Sequence, residues 1–309
     1  MDGASEGTER VSGSGVVDAR PMLGVAAMLG NTVLIPLMAV AIRFLAELDV
    51  STLDMLAWRS VLVFAVLIPI ALLPRFRREV IAADRRAHLV HAAFTISAMS
   101  CFYVAIQSLP IATATAITFT TPIFALIFAA LLFGERVATV SWIAVAVGFG
   151  GAVLILRPDA QGISMGAGIA LLGALLGSGM TLAVRRMPAR SSNFAVIFHL
   201  SLFGAMLFAP VLVIEPRLPS SAAWPWILML AAVAFGIHNL VALAYRFASS
   251  MLVGGLDYVR LIWALGIGYV LFSEEPDGID FLGIALIVGA GLFIMLQEMR
   301  PRRSIPEAG

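Results

Sequence analysis

Two charges, Asp257 and Arg260, stand three residues apart inside the apolar run GGLDYVRLIWALGIGYVLF (254–272), on neighbouring positions of a helix. A charge at the centre of a bilayer costs ~2.5–3.5 kcal/mol on insertion scales, so each one there needs a physical reason. Two readings stay open. The two charges neutralise one another and fix helix packing, or Arg260 faces a cavity and offers its planar fork to a carboxylate, phosphate or carbonyl, with Asp257 orienting it. Tyr258 and Trp263 flank the pair and supply flat faces for a ring or a cation. Arg59, in AWRSVL (57–62), either snorkels along its stem to an interface or joins the same cavity.

His238, Asn239 and Tyr245 cluster in GIHNLVALAYR (236–246). His238 sits near the middle of its apolar run, where an imidazole serves as a proton carrier or as a hydrogen-bonded helix contact. Asn31, Tyr103 and several threonines add hydrogen-bonding groups in the first half. Most of the threonines are expected to bond within their own helix or to a neighbour, and Tyr103 is the group expected to reach a ligand.

Other chemistries have no sequence support. There is no GxxxxGK[ST] stretch for a nucleotide, no HExxH, no nucleophile elbow and no pair of intramembrane acids. Cys101 is the only cysteine, which excludes an intrachain disulfide. The expectation is a non-enzyme with no catalytic residues, no metal, no cofactor and no nucleic-acid partner.

The elements that position these side chains follow from composition. The chain is 61% hydrophobic and 13% charged over 309 residues, far from the balance of a soluble domain. A bilayer core of ~30 Å takes roughly 20 apolar residues in helix. Runs of that kind lie near 22–42, 55–73, 88–108, 112–132 and 138–156, and again near 164–184, 194–214, 224–246, 250–272 and 279–297. Continuous apolar runs that must satisfy their own backbone in lipid are helices. With the N-terminus inside, fifteen of the twenty arginines fall on the inner face and three on the outer, with Arg59 and Arg260 within spans. The positive-inside bias therefore places both termini in the cytoplasm. The expected localisation is a bacterial inner membrane.

The two halves resemble each other at an offset of 139 residues. Phe133-Gly134-Glu135 matches Phe272-Ser273-Glu274, Gly150 falls on Gly289, and Ala105 on Ala244. Five spans per half is an odd number, so the second half is expected upside down relative to the first.

The stretch LPIATATAITFTTPIFALIFAALLFGER (109–136), with LILRP (154–158) after it, resembles the first repeat of the drug/metabolite transporter superfamily, EamA type. DYVRLIWALGIGYVLFSEEPDG (257–278) resembles its second repeat. The resemblance implies an all-α membrane protein of ten transmembrane helices, arranged as two inverted five-helix repeats around a cavity open to each side in turn. It divides the chain into a tail at 1–20, repeats at 21–158 and 162–298, and a tail at 299–309. Pro122 aligns with Leu261, so the fourth and ninth spans are not required to bend alike. The implied function is secondary transport of a small organic metabolite. AWRSVL and YVRLIWALGIGYVLFSEEP are similar to the branch that imports riboflavin or S-adenosylmethionine; export of an amino acid or metabolite is the alternative. Proton or ion coupling is compatible with either. An intramembrane enzyme would need the paired groups missing above, and a scaffold would not require polar groups at the midplane of a repeat.

Overall fold

A computed structural model describes residues 21–134, 137–156, 164–185, 187, 191–214 and 216–298. Both tails, Glu135, Arg136, Arg157, Arg186 and Arg190 lie outside the described residues. Helix is the regular structure throughout, in the order α1 (Pro21–Glu47), α2 (Thr52–Leu72), α3 (Pro74–Ile81), α4 (Arg85–Ser108), α5 (Ile111–Thr118), α6 (Thr121–Phe133) and α7 (Thr139–Leu156). There follow α8 (Met165–Arg185), α9 (Asn193–Ile214), α10 (Trp224–Phe247), α11 (Ser250–Asp257), α12 (Arg260–Phe272) and α13 (Gly278–Glu298). Ten spans are long and apolar enough to cross a membrane, α5 with α6 forming the fourth and α11 with α12 the ninth.

Local chemistry starts several of these helices. Ser51 accepts from the Asp54 amide and donates to its carboxylate, closing the first turn of α2. Asp84 caps α4 through the amides of Arg86 and Ala87, and Ser249 caps α11 through that of Leu252. Helix α3, PRFRREVI, lies between the apolar runs near 55–73 and 88–108. Pro74 starts it with a preset φ. Its arginines Arg75, Arg77 and Arg78 are exposed, while Phe76 packs on Phe194 with ring centroids 4.6 Å apart.

The helices repeat in register. Shifted by 139 residues, α4, α5 and α6 fall on α10, α11 and α12 with identical limits. Helix α3 has no such counterpart. The fourth and ninth spans are interrupted at equivalent positions, at Phe119-Thr120 and at Tyr258-Val259. In the fourth, Pro122 lacks an N–H and its ring excludes the carbonyl four residues earlier. In the ninth, no proline is present, and the turn tightens instead. Val259, Leu261 and Ile262 each donate to the carbonyl three residues back, at 3.0–3.1 Å. Phe119 and Thr120 do the same in the fourth.

The most extensive packing joins the halves: α1 on α10, α4 on α8, α7 on α13 and α2 on α9. Helices α7 and α13 cross at Gly151 and Gly283, where a Cβ on either would stand 2.7–2.8 Å from the other's carbonyl oxygen. Only glycine allows that approach. Gly150 and Gly168, by contrast, meet nothing within 4 Å and are not packing glycines.

Candidate functional site

A cavity of about 240 Å³ opens inside the bundle at the level of the two helix breaks, walled by α1, α2, α4, α5, α6, α8, α10 and α12. Its wall is mainly apolar or small, with Ile35, Met38, Met99, Phe102, Met180 and Ile237 the larger members. The polar exceptions are Arg59, Thr95, Thr118, Thr121, His238 and Arg260.

The break in the ninth span places Arg260 as the first residue of α12, and the break in the fourth holds it there. Its Nη2 donates to Thr118 Oγ1 at 2.9 Å, and Nη1 lies 3.4 Å from Asp257 Oδ2. Thr118 spends its own proton on the Thr115 carbonyl at 2.6 Å, leaving a lone pair for the arginine. The guanidinium also lies 4.2 Å from the centroid of the Phe119 ring, which stacks on Tyr258 at 4.4 Å. Thr118 is the repeat equivalent of Asp257, and Phe119 that of Tyr258, so the two breaks meet face to face.

Arg59 is buried to 8% exposure and lines the same cavity. Its Nε has no partner, and it makes no hydrogen bond or ion pair among the described residues. The snorkelling reading is overturned by that burial. His238 also lines the cavity, and a narrow crevice between α2, α4, α9 and α10 continues from these two side chains toward Ser60 and Ser201. No carboxylate is among the lining residues; Asp257 stands behind Arg260.

The structure does not gather every residue the sequence suggested. Tyr103 is fully buried and is not among the lining residues, and its hydroxyl has no hydrogen-bond partner among the described residues. Asn31 is buried beside the lining and not in it. Asn239 donates to the Phe235 carbonyl of its own helix at 2.8 Å. Tyr245 and Trp263 point outward, 53% and 44% exposed. Residue spacing alone does not explain these cases. Trp263 is three residues from Arg260, Tyr103 four from Met99 and Tyr245 seven from His238, all on neighbouring helical positions, and the packing of adjacent helices decides which of them reach the wall. Sequence reasoning counted Thr118 only among the threonines expected to bond within a helix or to a neighbour, and did not single out Phe119; both were reachable through the repeat. Six equivalent pairs line the cavity: Ile35 and Ala174, Met38 and Gly177, Thr95 and Ala234, Ala98 and Ile237, Met99 and His238, Thr121 and Arg260.

A second polar cluster closes one end of the bundle. Arg43 Nη2 pairs with Glu274 Oε1 at 2.8 Å, while Glu274 Oε2 accepts from the Ile111 amide at 2.8 Å, at the start of α5. Arg43 also donates to the carbonyls of Ile106 and Leu109 at the end of α4. Phe44 stacks on Trp226 at 4.4 Å, and Trp58 meets Trp224 edge-on at 5.0 Å.

Ten apolar spans that enclose a cavity with buried guanidiniums, at the level where two of them break, define a membrane transporter of small molecules. The chain belongs to the EamA-like transporter family, which matches residues 22–157 and 164–296. The riboflavin transporter of Rhizobium johnstonii is 29% identical over 240 residues, covering 75% of this chain and 78% of that protein. The pseudopaline exporter CntI of Pseudomonas aeruginosa is 27% identical over 193 residues, covering 62% and 68%. The S-adenosylmethionine uptake transporter of Rickettsia prowazekii is 23% identical over 221 residues, covering 72% and 75%. A solved crystal structure at 21% identity shares the fold with a TM-score of 0.55, over 87% of this chain and 97% of its own.

Proposed function

We propose that this protein is a secondary transporter that carries a small organic metabolite across the bacterial inner membrane by alternating access. Its two five-span halves have opposite orientation, and both termini are cytoplasmic. The cavity wall carries this reading: six pairs of equivalent positions, one from each half, face a single space. Halves that share one site and exchange conformations expose it to each side in turn. The exposed arginines of α3, followed by exposed Arg85 and Arg86 at the start of α4, support a cytoplasmic assignment for that end. The Arg43–Glu274 cluster then closes the external end.

The cavity is slightly smaller than the ~300 Å³ at which drug-sized sites begin, which favours a compact solute in this conformation. Relatives named for riboflavin and S-adenosylmethionine uptake support import of a nutrient or cofactor. The relative named as a pseudopaline exporter supports the outward direction as the second reading. The test is counterflow in liposomes containing the purified protein, preloaded with unlabelled riboflavin, S-adenosylmethionine or an amino acid and supplied with trace label. One solute is expected to accumulate, and Arg260→Ala is expected to abolish that accumulation in protein still monodisperse in detergent. Undiminished counterflow in Arg260→Ala would remove this arginine from the site.

A further inference from the structure

Arg59 is the one buried guanidinium among the described residues that has no carboxylate. Arg43 is paired with Glu274 and Arg260 with Asp257, whereas Arg59 lies in the cavity wall without an ion pair among these residues; the Nε atoms of Arg59 and Arg260 both lack a hydrogen-bond partner. Three cationic or protonatable groups, Arg59, Arg260 and His238, thus face a space with no acid on its surface. Counting Asp257 behind Arg260, the two arginines leave one surplus positive charge. An unpaired buried cation is costly, and a structure that keeps one holds it for a counterion that comes and goes.

We infer that Arg59 is the docking cation for an anionic group on the transported molecule, so that the ligand is an organic anion: a carboxylate or a phosphate monoester on a compact apolar or aromatic body. This rests on the transporter reading above and names its substrate class. The guanidinium fork suits both anions and pairs with either through two parallel N–H donors. The body meets Met38, Met99, Phe102 and Met180, whose flexible and polarisable side chains accommodate a flat ring. A solute with net positive charge gains nothing from this wall.

The inference separates from a purely structural role because an unneutralised charge burdens the empty protein. Thermal unfolding of the ligand-free, full-length protein in detergent is expected to rise in Arg59→Met, which keeps the length of the stem and drops the charge. A fall in midpoint would make Arg59 a structural cation and overturn the proposal. Ligand-induced shifts are then measured for matched probes: indole-3-acetate against indole-3-acetamide for the carboxylate, and flavin mononucleotide against riboflavin for the phosphate. Wild type is expected to favour at least one acid over its neutral partner. Arg59→Met is expected to lose that preference, with apparent affinity for the acid about thirtyfold weaker or more, and Arg59→Lys to retain part of it. Equal shifts within both pairs, including no shift from either, overturn the proposal. Counterflow of the neutral probe without any preference for the acid would leave transport standing and remove the anion. Selective binding of the acid without its counterflow would do the reverse.

Discussion

At the scale of the residue, Arg260 is fixed by groups from the other half of the chain, and this predicts a contrast between two substitutions. Thr118→Val keeps volume and removes the acceptor at 2.9 Å, leaving a buried guanidinium arm with one partner fewer. A hydrogen bond to a charged group contributes about 1.5–3 kcal/mol, so transport by Thr118→Val should fall about tenfold or more. Trp263→Leu should leave counterflow within about twofold of wild type, because Trp263 is 44% exposed and is not among the lining residues, although it lies one turn from Arg260. Equal losses in the two variants would place Trp263 at the cavity after all. The sequence made Arg260, Asp257 and Arg59 visible because a charge in an apolar run is conspicuous. It marked Thr118 only as one of several hydrogen-bonding threonines and left Phe119 unmarked, since either residue in such a run has an ordinary packing role. Tyr103, Tyr245 and Trp263 attracted notice by residue type and share helical spacing with lining residues, while the part of that face that reaches the cavity depends on how neighbouring helices pack. The low amphipathicity of a span apolar all round does not record that face.

At the scale of the element, the end of the ninth span carries a strain that its counterpart avoids. Gly134 and Ser273 close equivalent helices, with φ of 63° and 53°. The Ser273 amide donates to Tyr269 at 3.1 Å, the 5→1 bond of an αL ending, and the Glu274 amide reaches back to Gly268 at 3.0 Å. A non-glycine residue in that conformation costs roughly 1–2 kcal/mol, part of which glycine would return through its freer unfolded chain. Ser273→Gly should therefore stabilise the protein by about 0.5–1 kcal/mol, seen as a rise of about 1–3 °C in thermal midpoint. No change or a fall would show that the exposed serine side chain compensates its backbone. Ten spans, their limits and their grouping into two halves were legible because span length and the 139-residue offset are written in composition. The matched breaks were not: Pro122 predicts one of them, but the other arises from backbone bonds drawn in to the third residue, with no proline to announce it.

At the scale of the whole molecule, the cavity is shared by both halves, and the Arg43–Glu274 cluster binds one end of it. Glu274 ties three elements together: it follows α12, pairs with α1 through Arg43, and accepts from the first amide of α5. It reaches that position across Gly268, where a Cβ would stand 2.5 Å from its carboxylate. Glutamine in its place keeps the shape and an acceptor for the Ile111 amide, but loses the charge that pairs with Arg43 and strengthens both contacts. A loss of about 1.5 kcal/mol, the low end for hydrogen bonds to a charged group, shifts the balance between closed and open external ends about tenfold. The chain's single cysteine makes this measurable. With Cys101→Ser as background, Met99→Cys places one thiol in the cavity wall, opposite its repeat equivalent His238. A membrane-impermeant thiol reagent applied outside right-side-out vesicles should modify that thiol slowly, and about tenfold faster when Glu274→Gln is added. An Arg43→Met variant should give the same acceleration, because it removes the other half of the pair. If neither substitution changes the external rate, the cluster is a packing feature of the bundle end and not the contact that keeps the outer route shut. Acceleration only from inside-out vesicles would instead place the cluster on the cytoplasmic face and invert the proposed orientation.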